Sequence, residues 1–312
     1  KNNHIRYSTR NQLNIFTHTM NQQFIAKTFK GLEEILAAEL VALGADNIEI
    51  QRRAVAFTGD KRLLYKANLH LRTATRILKP VATFRAKTPD EIYTEVMKLD
   101  WSAIMTTDNT FAIDATVFSD EMRHSRFVAY RVKDAIVDWF RQHTGKRPSV
   151  KVDNPQLTFN VHVAQDQCTL SLDSSGESLH KRGYRTNQTE APISEVLAAG
   201  MLLKAGWDGQ CDFVDPFCGS GTILIEAAMI ALNIPPGLYR PSFGFEQWND
   251  FDKELFDELN QDDSGERPFE HRIYGFDISG KALKIAGENI KSAGVGKYIT
   301  LDKCDIAELE SP

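Results

Sequence analysis

No apolar run in this chain approaches the ~20 residues that a membrane span needs, so no membrane-crossing helix is expected. The opening stretch KNNHIRYSTRNQLNIFTHT has no apolar core and does not read as a signal peptide. This Asn/Thr/His-rich leader, residues 1–19, is expected to be disordered or an upstream extension, and apolar periodicity begins only at Met20. Cysteine is scarce: Cys168, Cys211, Cys218 and Cys304 form no CxxC and no metal-ligand pair. No zinc site is readable, no metal is expected, and scattered thiols without a secretion signal suit a reducing cytoplasm. Positive charge is also in deficit, with a net charge of −5. At face value this argues against a nucleic-acid partner, but the distribution is uneven. Residues 67–160 hold 14 Lys/Arg against 11 Asp/Glu, a balance of +3, whereas residues 246–310 hold 8 against 16, a balance of −8. The acidity sits near the C-terminus, and the mildly basic middle leaves room for an RNA-facing domain.

What is present is ordinary globular composition, 42% hydrophobic and 25% charged, over 312 residues, enough for two or three domains. FIAKTFKGLEEILAAELVALGA reads as a short strand and then a helix on Leu32, Ile35, Leu36, Leu40 and Leu43, stopped by Gly44. NIEIQRRAVAFTGD alternates like a strand pair and turns at Gly59-Asp60. In KTPDEIYTEVMKLDW, Thr88 caps a helix, Pro89 takes its first position and Glu91 closes a capping box. FAIDATVF alternates as a strand. The next segment, SRFVAYRVKDAIVDWFRQHTG, puts Val128, Val132, Ala135, Ile136, Trp139 and Phe140 on one helix face and ends at Gly145. LTFNVHVAQDQCTLSL predicts two strands around a polar turn. From Pro192, which is expected to open a helix reaching Gly206, the grammar changes to strand (CDFVDPF), helix (TILIEAAMIALN), insertion, strand (HRIYGFDIS), helix (GKALKIAGENIKSAG) and strand (YITLDKCDI). This is βαβαβ, the first half of a doubly wound fold.

The corner DFVDPFCGSGTILIEAA carries the chemistry. A phosphate loop needs Lys before its Ser/Thr, and none follows Gly221. A dinucleotide fingerprint needs a third Gly where Leu224 stands, and an acid ~20 residues on, whereas Asp277 is much further. A nucleophilic Cys218 would need a base, and no His is close in sequence; a small residue filling a buried corner is the plainer reading. A ligand bearing an amine and a carboxylate remains. Asp215 can accept from the ammonium, and backbone N–H groups from Gly219 to Thr222 can hold the carboxylate. Asp277, ending the next strand, is placed for two ribose hydroxyls, and Asp305, ending the third, for an adenine amino group. Each Asp alone could be a helix cap; three at consecutive strand ends suit S-adenosylmethionine better than a nicotinamide dinucleotide.

At these residues the chain resembles the THUMP-containing class I methyltransferases. The elements that carry the resemblance are DPFCGSGTILIEAA, HKRGYRTNQTEAPISEVLAAGMLLKAGW and YGFDIS. GLYRPSFGFEQW looks closest to the bacterial branch that makes N2-methylguanosine in 23S rRNA, and the likeness runs from about Met20 to the end. It implies a fold of three parts: a ferredoxin-like domain over 20–66, a THUMP RNA-binding domain over 67–175, both α+β, and a Rossmann-like α/β methyltransferase domain over 176–312. The family's cofactor loop maps onto Asp215, Phe217, Cys218, Gly219, Ser220, Gly221 and Thr222. Its ribose-binding acid maps onto Asp277, with Ile278 beside it, and its adenine-contacting acid onto Asp305. Glu195 falls in the Ala-Pro-Ile-Ser-Glu element near the cofactor. The implied RNA contacts are Arg123, Arg126, Lys146 and Arg147, of a kind that gives position and salt-dependent affinity. Any one of these four, and Glu195 as well, could instead be a solvated surface charge.

The sequence departs from the family in one respect. The family's catalytic element, Asn-Pro-Pro-Tyr after the fourth strand, holds the target amine and stacks on the flipped base. This sequence has no such run; Asn233-Ile234-Pro235-Pro236-Gly237 is interrupted by Ile and follows the first helix of the βαβαβ segment. A sheet ending at the third strand leaves an apolar edge that parallel sheets avoid. The expectation is a chain that is part of a longer one, holding the methyl donor and by itself inactive. The expected activity is methyl transfer from S-adenosylmethionine to a guanine N2 amine of 23S rRNA, without metal. A tRNA guanine target, a non-catalytic RNA-binding protein and, more weakly, a nicotinamide-dependent oxidoreductase stand as alternatives.

Overall fold

The computed structural model describes residues 21–309 except Thr189, so the leader lies outside the described residues. In chain order the first part holds β1 (Gln22–Lys27), α1 (Glu33–Ala42), β2 (Asp46–Gln51), β3 (Ala54–Gly59), α2 (Lys61–His70) and β4 (Arg76–Arg85). Then come α3 (Pro89–Val96), β5 (Thr110–Phe118), α4 (Ser125–Thr144), β6 (Ser149–Val150), β7 (Leu157–Ala164) and β8 (Gln167–Asp173). The last part holds α5 (Glu195–Lys204), β9 (Phe213–Asp215), α6 (Thr222–Ala231), α7 (Lys253–Gln261), β10 (Ile273–Asp277), α8 (Gly280–Ser292) and β11 (Ile299–Lys303).

The two α+β units expected from the sequence share one eight-stranded sheet, ordered β2-β3-β1-β4-β8-β7-β5-β6. β4 joins them: Arg76–Leu78 pairs with β1, and the strand continues along β8 as far as Arg85. Neither α2 nor β4 was apparent in the sequence. Asp60, read as a turn residue, caps α2, its carboxylate accepting from the Leu63 N–H at 2.8 Å. Pro80 interrupts the strand pattern of β4, and the ladder accommodates it with a register shift between Pro80 and Ala82. A boundary between residues 66 and 67 therefore cuts through α2.

The Thr88 cap and Pro89 at the first helical position hold in the structure, but Glu91 does not close the expected capping box: its carboxylate accepts from the Lys87 N–H at 2.8 Å, one residue before Thr88. Thr88 accepts from the Glu91 N–H at 3.2 Å at the start of α3. The six apolar residues predicted for one face of α4 are the ones it buries, and Gly145 ends it in the left-handed region at φ 72°. α4 connects β5 to its parallel partner β7, with β6 at the sheet edge. Helix α5 begins at Glu195, three residues after Pro192.

A second, parallel sheet, ordered β11-β10-β9, carries the βαβαβ segment. Leu224, Ala228, Ile273, Ala286 and Ile290 are buried around it. The aromatic insertion packs against the first part of the chain: Phe245 stacks on Tyr65 of α2 at 4.3 Å between ring centroids, and Phe243, Phe251 and Phe256 close around them. Among the described residues, no helix is long and apolar enough to cross a membrane.

Candidate functional site

β9 is short because its chain must turn at once. After Asp215 the backbone folds over the end of β10: the Cys218 N–H donates to the Phe276 carbonyl at 2.9 Å, and the Gly221 N–H closes a turn on the Cys218 carbonyl at 2.8 Å. Gly219 and Gly221 have φ of 52° and 81°, left-handed values that favour glycine. Gly221 is also the N-cap of α6, and a Cβ there would stand 3.2 Å from the Ala286 Cβ, so α8 passes close behind the loop.

The acids sit where the strands end, and two of them shape the loop. Asp277 accepts from the Gly219 N–H at 3.0 Å through one oxygen and from the Ser279 N–H at 2.8 Å through the other. Asp215 accepts from the Phe217 N–H at 3.0 Å. Burial raises the Asp215 pKa above its ordinary value; the Phe217 N–H opposes this, and the nearby charge of Asp277 adds to it. Asp305 lies just past β11, which stops at Lys303; it is exposed and caps a single 3-10 turn, accepting from the Ala307 N–H at 3.0 Å. Asp305 is thus a cap, whereas Asp277 is not, since Ser279 caps α8; a carboxylate with one or two such bonds keeps further lone pairs.

Three apolar side chains stand exposed around these acids: Phe217 at 70%, Ile278 at 65% and Ile306 at 48%. Ile306 did not emerge from the sequence, although the repeated Asp-Ile of Asp277-Ile278 and Asp305-Ile306 was a signal for it. Cys218 is buried, and burial pushes its thiol up to about 12, with Asp215 and Asp277 adding to the effect. A thiol held protonated in this way is a packing group.

Behind the loop lies a buried ionic cluster. The Arg-Gly-Tyr-Arg stretch leads from β8 towards α5. Arg182 Nε is 3.5 Å from Glu226 of α6, and its terminal nitrogens donate to the Leu179 and Arg72 carbonyls at 2.9 and 2.5 Å. Tyr184 donates to Glu226 at 3.0 Å. Arg185 pairs with Glu195 at 3.1 Å and donates to Thr222 Oγ1 at 2.9 Å, at the first residue of α6. Glu195 is 3% exposed rather than a surface residue, and its second oxygen is buried without a hydrogen-bond partner. Burial raises its pKa, opposed by Arg185. Ser220 is buried beside Thr222, and its carbonyl accepts from Asn289 of α8 at 3.1 Å.

The structure thus brings together Asp215, Phe217, Cys218, Gly219, Ser220, Gly221, Thr222, Asp277 and Ile278, with Glu195 behind them through Arg185 and Asp305 at the far end of the same sheet edge. The four basic residues are not gathered into one patch. Arg123 and Arg126 flank the start of α4, and Lys146 and Arg147 follow its end. A helix of 20 residues separates the two pairs by roughly 30 Å. Asn233 and Pro235 lie at the opposite end of α6 from the loop, and the Asn233 amide donates to the Gly265 carbonyl at 2.8 Å. That run is a helix terminus.

Comparison with known proteins gives three family matches in chain order: an RlmL ferredoxin-like domain over residues 23–78, a THUMP domain over 86–173 and an RMKL-like methyltransferase domain over 182–312. A Syntrophotalea carbinolica protein named "Ribosomal RNA large subunit methyltransferase K/L" is 40% identical over 93% of this chain and 42% of its own length. "Putative RNA methyltransferase slr0064" of Synechocystis sp. is 40% identical over 93% of this chain and 76% of its own length. The chain therefore spans under half of the first relative and about three quarters of the second. A solved structure of SMU.472, "a putative methyltransferase complexed with SAH", superposes with a TM-score of 0.83 at 30% identity, covering 94% of this chain and 78% of the other.

Proposed function

The chain belongs to the THUMP-containing, RMKL-like family of S-adenosylmethionine-dependent methyltransferases, and on that premise we propose that it acts in methyl transfer to the exocyclic N2 amine of a guanine in 23S rRNA. The observation that carries the reading is the set of Asp215 and Asp277 at two strand ends beside the Gly219–Gly221 loop, with Asp305 just past the third strand on the same sheet edge. S-adenosylmethionine supplies a methyl group activated on a sulfonium. This chain's residues hold and orient that donor. Asp215 accepts from its ammonium, the N-terminus of α6 faces its carboxylate, and Asp277 takes the ribose hydroxyls. Asp305 reads the adenine amino group, with Ile278 and Ile306 as apolar neighbours of the ring. Transfer is a direct displacement in which positioning dominates; the protonated, buried Cys218 forms no covalent intermediate. The Syntrophotalea relative's name and the GLYRPSFGFEQW insertion favour rRNA over tRNA, and a reducing cytoplasm suits the four free thiols.

Titration calorimetry with S-adenosylmethionine tests the cofactor reading. The chain binds, and Asp277→Ala weakens binding about a hundredfold through the loss of two charge-assisted hydrogen bonds. No binding by the unsubstituted chain sinks the proposal. Methylation assays of the complete polypeptide on purified rRNA and tRNA separate the two targets.

A further inference from the structure

A cleft lies away from the cofactor loop, none of whose residues line it. It is an open cleft of about 770 Å³ between the THUMP region (α4, β5, and the segment from β6 to β7) and the segments 173–181 and 240–247. One wall carries Tyr130, 53% exposed, and Val150 and Val152, 46% and 82% exposed. The opposite wall carries two ion pairs and one further cation. Arg76 is paired with Asp173, Lys181 with Glu177 at 2.6 Å, and Arg240 is spent on the carbonyls of Ser175, Glu177, Ser178 and Lys181. The cleft also holds Lys133 and Asp114, the latter exposed on β5 without an ion pair among the described residues, and the surrounding segment is basic: residues 123–153 contain eight Lys/Arg against three Asp/Glu, in a chain of net −5. Two of those acids are engaged, Asp134 with Arg131 and Lys133, and Asp138 with Arg141. Arg126, Lys146, Arg147 and Lys151 form no ion pair among the described residues. Arg126 stands one turn before Tyr130 on the same face of α4, and the Lys133 ammonium is 5.8 Å from the Tyr130 ring centroid.

A cleft with an exposed ring and a basic rim suits a base and ribose inside and phosphates outside. Duplex RNA buries its base faces and offers mainly phosphate and hydroxyl contacts, whereas an unpaired strand can place a base on an aromatic ring. We propose that this cleft is a docking site for an unpaired nucleotide of the RNA substrate, stacked on Tyr130, with Arg126 and Lys151 holding the flanking phosphates. The site rests on the RNA-methyltransferase reading and deepens it: it selects a single-stranded segment, at a place remote from the methyl donor.

Fluorescence anisotropy with a labelled single-stranded RNA and a matched duplex tests it, alongside S-adenosylmethionine calorimetry as a check on folding. Tyr130→Ala weakens single-strand binding about tenfold, Tyr130→Phe restores it, and neither alters duplex or cofactor affinity. A strand containing 2-aminopurine shows quenching with the unsubstituted chain and with Tyr130→Phe, and much less with Tyr130→Ala. If RNA binds and Tyr130→Ala binds it as tightly as the unsubstituted chain, the cleft is wrong while the RNA reading stands. Guanosine monophosphate binding as tightly as the strand overturns the strand assignment. If the chain binds S-adenosylmethionine but no RNA of either form, the RNA reading falls and the cleft with it.

Discussion

At the residue scale, Asp215 is the side chain whose environment makes the sharpest statement. Its pKa in the free protein is raised, first by burial and then by Asp277. A bound ammonium favours the ionised carboxylate and pulls that pKa back down. Affinity is therefore full above the free-state pKa, declines as pH falls through it, and levels off below the pKa of the complex. S-adenosylmethionine affinity measured by calorimetry from about pH 7 downward should weaken earlier than an ordinary carboxylate would dictate. Asp215→Asn should bind more weakly at neutral pH and lose this dependence; a flat profile in the unsubstituted chain would show that Asp215 does not meet the ammonium. The sequence made Asp215 and Asp277 legible because both follow apolar strand cores. It left Glu195 ambiguous, because only the fold places Arg185 against it and buries the pair.

At the element scale, the loop and α6 depend on left-handed backbone geometry that glycine adopts at least cost. Gly221 combines φ 81° with a Cβ position 3.2 Å from Ala286, whereas Gly219 has φ 52° and open space. Gly221→Ala should cost about 1–2 kcal/mol for the left-handed backbone, with a further penalty from α8. Gly219→Ala should cost the backbone part alone. Thermal melts that find Gly221→Ala no less stable than Gly219→Ala would remove α8 from the account. Elements with local signals were legible: the Thr88 cap, the apolar stripe of α4 and the Gly145 stop depend on neighbours within a few residues. α2 and β4 were not. Asp60 can end a hairpin or cap a helix, and Pro80 is tolerated only because the ladder against β8 shifts register around it.

At the scale of the whole molecule, the parts are fastened together by buried charge as well as by the shared sheet. Arg72, at the end of α2, donates to the carbonyls of Met229 and Ile234 at the C-terminal end of α6 and receives Arg182 on its own carbonyl. Arg182 in turn faces Glu226 inside α6, with side chains 2% and 0% exposed. None of this could be read from the sequence, because the contacting residues are 44 to 162 positions apart along the chain, and Arg72 belongs to no motif. The arrangement fixes α6, and hence the loop at its N-terminus, relative to the eight-stranded sheet. Removing one member of such a pair leaves an uncompensated buried charge. Arg182→Met should therefore lower unfolding stability by about 3–5 kcal/mol, and Arg182→Met combined with Glu226→Leu should recover much of it, since an apolar replacement of both partners is often neutral. Denaturant melts of the singles and the double measure this directly. If the ionic cluster couples the parts, the Arg182→Met melt also broadens or splits where the unsubstituted chain unfolds in one step. A double variant no more stable than Arg182→Met would mean that Glu226 is satisfied by Tyr184 alone and that the domains are held together by the sheet and the aromatic insertion.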